Sequence, residues 1–120
     1  MEATTEKINQ YNAKGNKEGF WCSWDESGVL VMERTYVDGV LNGLWRYWHS
    51  NGQLMCEGTY RGGYKHGEWS YYHESGALLT KGSYVNERPH GLWRWWDENG
   101  ELLKEGEYWN GDASAPVVKA

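Results

Sequence analysis

Between residues 19 and 111 the apolar positions recur in short alternating runs, broken by clusters of polar residues and glycine. "GLWRYW" (43–48) alternates, "HSNG" (49–52) interrupts, and "QLMCEGTY" (53–60) alternates again. Alternation with period two is the mark of a strand whose faces differ, because successive side chains point to opposite sides. The interruption has turn chemistry: Asn and Gly accept a positive φ, and Ser or Asp bonds to nearby backbone. The chain therefore predicts β-hairpins, with "RGGYKH" connecting one to the next.

The hairpin is repeated with a period of 24 residues. Gly19, Gly43, Gly67 and Gly91 are in phase, as are Trp21, Trp45, Trp69 and Trp93. Three positions later come Trp24, Trp48, Tyr72 and Trp96. Gly28, Gly52, Gly76 and Gly100 follow, then Leu30, Leu54, Leu78 and Leu102, then Tyr36, Tyr60, Tyr84 and Tyr108. The other turns read "DESG", "HESG" and "DENG". A repeated unit of this length is one supersecondary element that buries its apolar face only by stacking on its neighbours. The organisation expected is a cap and degenerate half-repeat over 1–18, four repeats (19–42, 43–66, 67–90, 91–111) and a tail over 112–120 that frays or covers the last edge.

A four-residue turn pairs Trp48 with Gln53, which sets Tyr47 opposite Leu54, Trp45 opposite Cys56 and Gly43 opposite Gly58. One face then carries Trp45, Tyr47, Leu54 and Tyr60, with Gly58 leaving room for the indole beside it. Gly82 and Gly106 repeat the arrangement, and Arg34 replaces the glycine in the first copy. The other face carries Leu44, Trp48 and Met55 among Arg46 and Glu57. Arg46–Glu57 and Arg94–Glu105 become diagonal neighbours able to pair. No helix pattern and no second sheet is present to cover either face. The fold class is all-β: an elongated single-layer antiparallel meander of four consecutive hairpins, each advancing the sheet by roughly 10 Å. Such a sheet has two edges to protect, for which the N-terminal segment and the acidic last block are suited.

Composition agrees. Nine Trp, nine Tyr and 16 Gly accompany a single Phe, a strand-and-turn vocabulary. The net charge is −5 with no basic stripe, which argues against nucleic acid and anionic membrane as partners. Cys22 and Cys56 form no CxxC and have no His at zinc spacing, so they read as free thiols of a reduced compartment. The start lacks an apolar signal region and no long apolar run occurs, so a cytoplasmic location is expected.

The slots "GxWxYWxxNGxLxxEGxYxxGxxxG" resemble the MORN repeat in its variant form, as found in bacterial antitoxin-like proteins of the YwqK type. The resemblance covers 19–111. It implies a non-catalytic module for protein interaction or assembly, and for antitoxin-like members direct neutralisation of a partner. Choline-binding repeats share the aromatic vocabulary at a shorter period and match less well.

No catalytic constellation emerges from the residues. His49 and His73 share a turn slot that Asp25 and Asp97 fill elsewhere, so the slot asks for a polar turn-former and not for an imidazole. His66 and His90 share a connector slot. Equivalent slots lie one repeat apart, too far to share a metal. The carboxylates Asp97, Glu98 and Glu101 crowd a turn and face no cleft. No enzyme, cofactor or metal is expected. The constant Trp, Leu and Tyr slots read as the structural repeat core. Contact candidates are the variable slots: Ser23, Tyr47, Tyr71 and Trp95 on one face, and Trp24, Trp48, Tyr72 and Trp96 with Arg46, Ser70 and Arg94 on the other. Two apolar faces on a thin sheet expose more apolar area than a monomer usually carries, which points to a protein partner. An antitoxin or immunity-like inhibitor comes first, a self-associating structural or assembly protein second, and a carbohydrate-binding ladder of Trp45, Trp69 and Trp93 third.

Overall fold

A computed structural model describes residues 7–113, 118 and 119. Residues 1–6 of the expected cap and 114–117 and 120 of the tail lie outside the described residues. The fold is built by two kinds of turn. At one end of the sheet the turns begin at Asp25, His49, His73 and Asp97. The N–H of each donates to the carbonyl four residues on (2.8–2.9 Å) and its own carbonyl accepts from the turn glycine (2.9–3.1 Å). That glycine has φ of 87–96° in every copy, a conformation that favours Gly. At the other end Asp38-Gly39, Gly62-Gly63, Asn86-Glu87 and Asn110-Gly111 all have φ between 50° and 97°. These are two-residue hairpin turns whose twist matches that of the strands. "RGGYKH" is thus no connector: only Gly62 and Gly63 connect, and His66 and His90 lie inside strands.

The strands are β1 (Gln10–Tyr11), β2 (Lys17–Trp24), β3 (Leu30–Val37), β4 (Val40–Trp48), β5 (Leu54–Arg61), β6 (Tyr64–Tyr72), β7 (Leu78–Val85), β8 (Arg88–Trp96), β9 (Leu102–Trp109), β10 (Asp112–Ala113) and β11 (Val118–Lys119). β1 to β10 pair in chain order, all antiparallel, in one open sheet. β11 pairs with β9, so residues 112–113 and 118–119 lie along the outer side of β9. At the first edge Asn9 acts as one more strand residue. Its backbone N–H donates to Phe20, while its side chain accepts from the Cys22 N–H (2.7 Å) and donates to the Cys22 carbonyl (3.2 Å). The sheet measures 49 × 31 × 25 Å. A flat layer is about 10 Å thick, so the smallest dimension records strong twist and curl.

The register differs from the expected one. Trp45 pairs with Gly58, Tyr47 with Cys56, Arg46 with Glu57 and Gly43 with Tyr60. The turn loop has five residues, and a bulge beside Trp48 lets it pair with Leu54. Away from that bulge the slip is two residues, so the side chains keep their predicted faces, but Arg46 and Glu57 are directly opposed and not diagonal.

Between hairpins a wider bulge recurs. Glu57 pairs with Ser70 and Thr59 with His66, which leaves Gly58 alone against residues 67–69. Gly67, at φ 84°, makes the bend. The bend swings the Trp69 indole across Gly58 of the preceding repeat, where a Cβ would overlap the ring. Trp93 lies across Gly82 in the same way. The glycine makes room for the next repeat's tryptophan, and not for the one in its own hairpin.

Candidate protein-interaction surface

The two faces of the sheet have different chemistry. On the aromatic face, three of the four constant indoles are held by a bond to the strand before them: Trp69 Nε1 donates to the Thr59 carbonyl (3.0 Å), Trp93 Nε1 to Ser83 (3.1 Å) and Trp21 Nε1 to Gln10 (3.1 Å). The rings form a continuous column. Trp69 meets Trp45 at 5.6 Å, Tyr60 at 5.4 Å and Tyr84 at 6.1 Å, and Tyr84 meets Trp93 at 5.1 Å. The Lys65 ammonium lies 5.3 Å and 5.1 Å from the Trp69 and Tyr84 rings. Trp69 is 1% exposed and Trp93 5%, a degree of burial that a single layer reaches only by curling its own side chains over one another. Such indoles leave no face for a sugar ring.

The remaining predicted core slots are half-buried: Trp21, Trp45, Leu30, Leu54, Leu78, Leu102, Tyr36, Tyr60, Tyr84 and Tyr108. Among the contact candidates of this face, Tyr47 stacks on Trp45 (5.9 Å). Tyr71 hydrogen-bonds the Tyr84 hydroxyl (3.3 Å), and burial pushes its phenol well above the usual range. Trp95 packs on Trp93 under Lys104. Burial likewise pushes the Cys56 thiol up to about 11. In the first repeat Arg34 occupies the glycine slot and donates to Ser23 Oγ (3.0 Å).

The opposite face carries an ionic row. Register places Cys22, Glu33, Arg46, Glu57, Ser70, Lys81, Arg94 and Glu105 side by side across β2 to β9. Arg46 bridges Glu57 (3.0 Å) and Glu33 (3.3 Å), and Arg94 bridges Glu105 (2.9 Å). The Glu57 carboxylate is the main reason that Arg46 is held above its ordinary pKa. Each pair is partly solvated and contributes little by itself. Trp48, Tyr72 and Trp96 flank the row, half-buried, and Trp24 is 49% exposed. Glu68, Lys81, Leu92, Arg94 and Trp96 line an open groove of about 270 Å³ here.

Of the ten large apolar side chains exposed among the described residues, strand alternation puts eight on this ionic face, Val40, Tyr64, Leu92, Leu103 and Trp109 among them. Tyr11 and Val29 are the others. The accessible surface, 7566 Å², exceeds the about 6,700 Å² of a compact monomer of this mass. The predicted candidates therefore separate: Tyr47, Tyr71 and Trp95 are engaged in packing, whereas Trp48, Tyr72, Trp96, Arg46 and Arg94 share the open face.

The turn histidines do more than the sequence suggests. His49 Nε2 lies 2.9 Å from the Tyr72 carbonyl and His73 Nε2 3.0 Å from that of Trp96, so each imidazole ties its turn to the next repeat. Asp25 and Asp97 instead accept two backbone N–H groups of their own turns. The slot takes two solutions, and the step of one repeat, legible in the period, was the signal for the second. Among the described residues no group of three or more His, Cys, Asp or Glu gathers to hold a metal, and no helix is long and apolar enough to cross a membrane.

No curated protein matches the chain. Four consecutive segments, 17–38, 41–61, 65–86 and 89–110, match the MORN repeat variant, and each spans one hairpin of the sheet. With most of its length in these four repeats, the chain belongs to the MORN repeat variant family.

Proposed function

We propose that the chain is a non-enzymatic protein-interaction module that binds through its ionic face, with Trp48, Tyr72, Trp96, Arg46 and Arg94 at the centre of contact. The observation that carries this reading is the one-sided exposure: the aromatic face is consumed by packing, and eight large apolar side chains lie open on the other. Aromatic and arginine side chains beside apolar ones are the composition of energetic centres in interfaces. MORN repeats are commonly interaction modules and generally non-catalytic, which supports the same reading. Its finer form is antitoxin or immunity-like inhibition, with the net charge of −5 suited to a basic partner enzyme. Co-purification with cross-linking tests both levels. The module reading expects cross-links at the ionic face that vanish in Leu92→Ser/Leu103→Ser. It fails if the chain associates neither with itself nor with another protein. The inhibitory form fails if the chain recovers only itself.

A further inference from the structure

The ionic row is self-complementary, and this identifies an occupant for the face. From β4 to β9 it reads Arg46, Glu57, Ser70, Lys81, Arg94, Glu105. A two-fold axis parallel to the strands, running between β6 and β7, reverses this order and lays one face on the other. Arg46 then meets Glu105 of the second copy, Glu57 meets Arg94, and Ser70 meets Lys81, each contact occurring twice. Arg46–Glu57 and Arg94–Glu105, already bridged at 3.0 and 2.9 Å, close into four-charge rings in which Arg94 gains a second carboxylate and Arg46, which also bridges Glu33, a third. Moving the axis one strand either way sets Arg46 against Lys81 or Lys81 against Arg94, which repel. One register is therefore selected.

In the row on one side the same operation sets Trp48 against Leu103, and in the row on the other it sets Leu44 against the exposed Glu107. One like-charge meeting, Arg61 with Arg88, falls at the rim, where both side chains are exposed to solvent. Laid flat, six strands of about eight residues span roughly 29 by 27 Å, or at most about 780 Å² a side before the curl of the sheet reduces the part that touches, which makes the contact a weak, concentration-dependent one. A stable interface needs about 800 Å² from each partner. Stacked twisted sheets pack in this way, about 10 Å apart.

We propose that a second copy of this chain covers the ionic face, as a symmetric two-sheet sandwich centred between β6 and β7. This rests on the interaction reading above and names the partner. The test is light scattering on the full chain. The wild type is expected to rise from 13.9 kDa towards twice that mass with increasing concentration, and less so at high salt. Glu57→Arg alone and Arg94→Glu alone each place like charges across both rings, raising the dimer Kd at least about a hundredfold. Mixed one to one they restore association, because each then faces an opposite charge in the other chain. Circular dichroism melts establish that both variants are folded, and a variant that does not fold is replaced by Arg46→Glu mixed with Glu105→Arg, which tests the other contact of the ring. A wild type that stays at 13.9 kDa at millimolar concentration, or folded variants whose mixture does not associate, overturns the proposal. A monomer that still cross-links another protein through this face removes the dimer and leaves the module reading standing.

Discussion

Substituting Gly58 by Ala puts one methyl group where the Trp69 indole lies. Gly58 has no positive φ, so backbone strain is not involved, and the effect comes from the ring alone. Trp69 is 1% exposed and cannot yield without lifting off the column. A buried aromatic removes about 150–250 Å² from water, worth about 4–6 kcal/mol at 25 cal/mol/Å². Losing half of that costs about 2–3 kcal/mol. Losing the 3.0 Å bond to the Thr59 carbonyl adds about 1 kcal/mol. The opposing gain, a less flexible unfolded chain, is only about 0.4–1 kcal/mol. The net expectation is a loss of about 3 kcal/mol, a large share of a small domain's stability. Urea unfolding followed by tryptophan emission measures it, with a red-shifted native spectrum as the second sign. Gly62→Ala is the control: φ is 60° and nothing lies within 4 Å, so it costs strain of only about 1–2 kcal/mol. In a Trp69→Ala background Gly58→Ala is expected to cost almost nothing. Equal losses at Gly58 and Gly62, or additivity with Trp69→Ala, would refute the packing argument.

Three further outcomes follow from the turns and the core. Glu87 sits at φ 75° where the other three hairpin turns have glycine, although its carboxylate accepts from the Lys65 N–H (2.6 Å). Glu87→Gly relieves the strain and loses that bond, for a net gain of about 0.5 kcal/mol and a melting temperature higher by about 2 °C; a fall in calorimetry counts against it. Asp25 is held below the ordinary carboxylate range, first by the Val29 N–H. A lowered folded pKa means that its contribution is complete above the unfolded value of about 3.9 and is lost as pH falls through the folded one. Asp25→Asn should therefore flatten the fall of melting temperature below about pH 4, and an unchanged slope would contradict the assignment. Cys56, buried and pushed up to about 11, should resist iodoacetamide in the native protein at pH 8 and react once unfolded; rapid native labelling would show that the core opens.

The period, the turn glycines and the side of the sheet taken by each residue were legible because a side chain's face depends only on parity along a strand. Register was not, because two features that set it are three-dimensional. The five-residue turn and the bulge beside Trp48 move the pairing by two, which leaves no trace in the alternation. The inter-hairpin bulge at Gly67 decides that Trp69 crosses Gly58 rather than stays beside its own strand partner, and the sequence shows only that a tryptophan and a glycine recur together. The hairpin turns were readable in principle: "DG", "GG" and "NG" at residues 38–39, 62–63 and 110–111 are strong two-residue turn signals, hidden inside what looks like a longer connector. The candidate surface was half legible. Its residues were visible as variable slots on both faces, but only the depth of the aromatic column shows which face is spent on packing.

Hydroxyl-radical footprinting tests the division of labour between the faces most directly. The chain is labelled dilute, then under conditions of association, with itself or with a captured protein. Leu92, Leu103 and Trp96 should lose labelling together on association, while Tyr47, Tyr71 and Trp95 stay unchanged and Trp69 and Trp93 are unlabelled throughout. Protection that appears instead on Tyr47, Tyr71 and Trp95, with Leu92 and Leu103 still labelled in the complex, would contradict the assignment of the ionic face as the surface that binds.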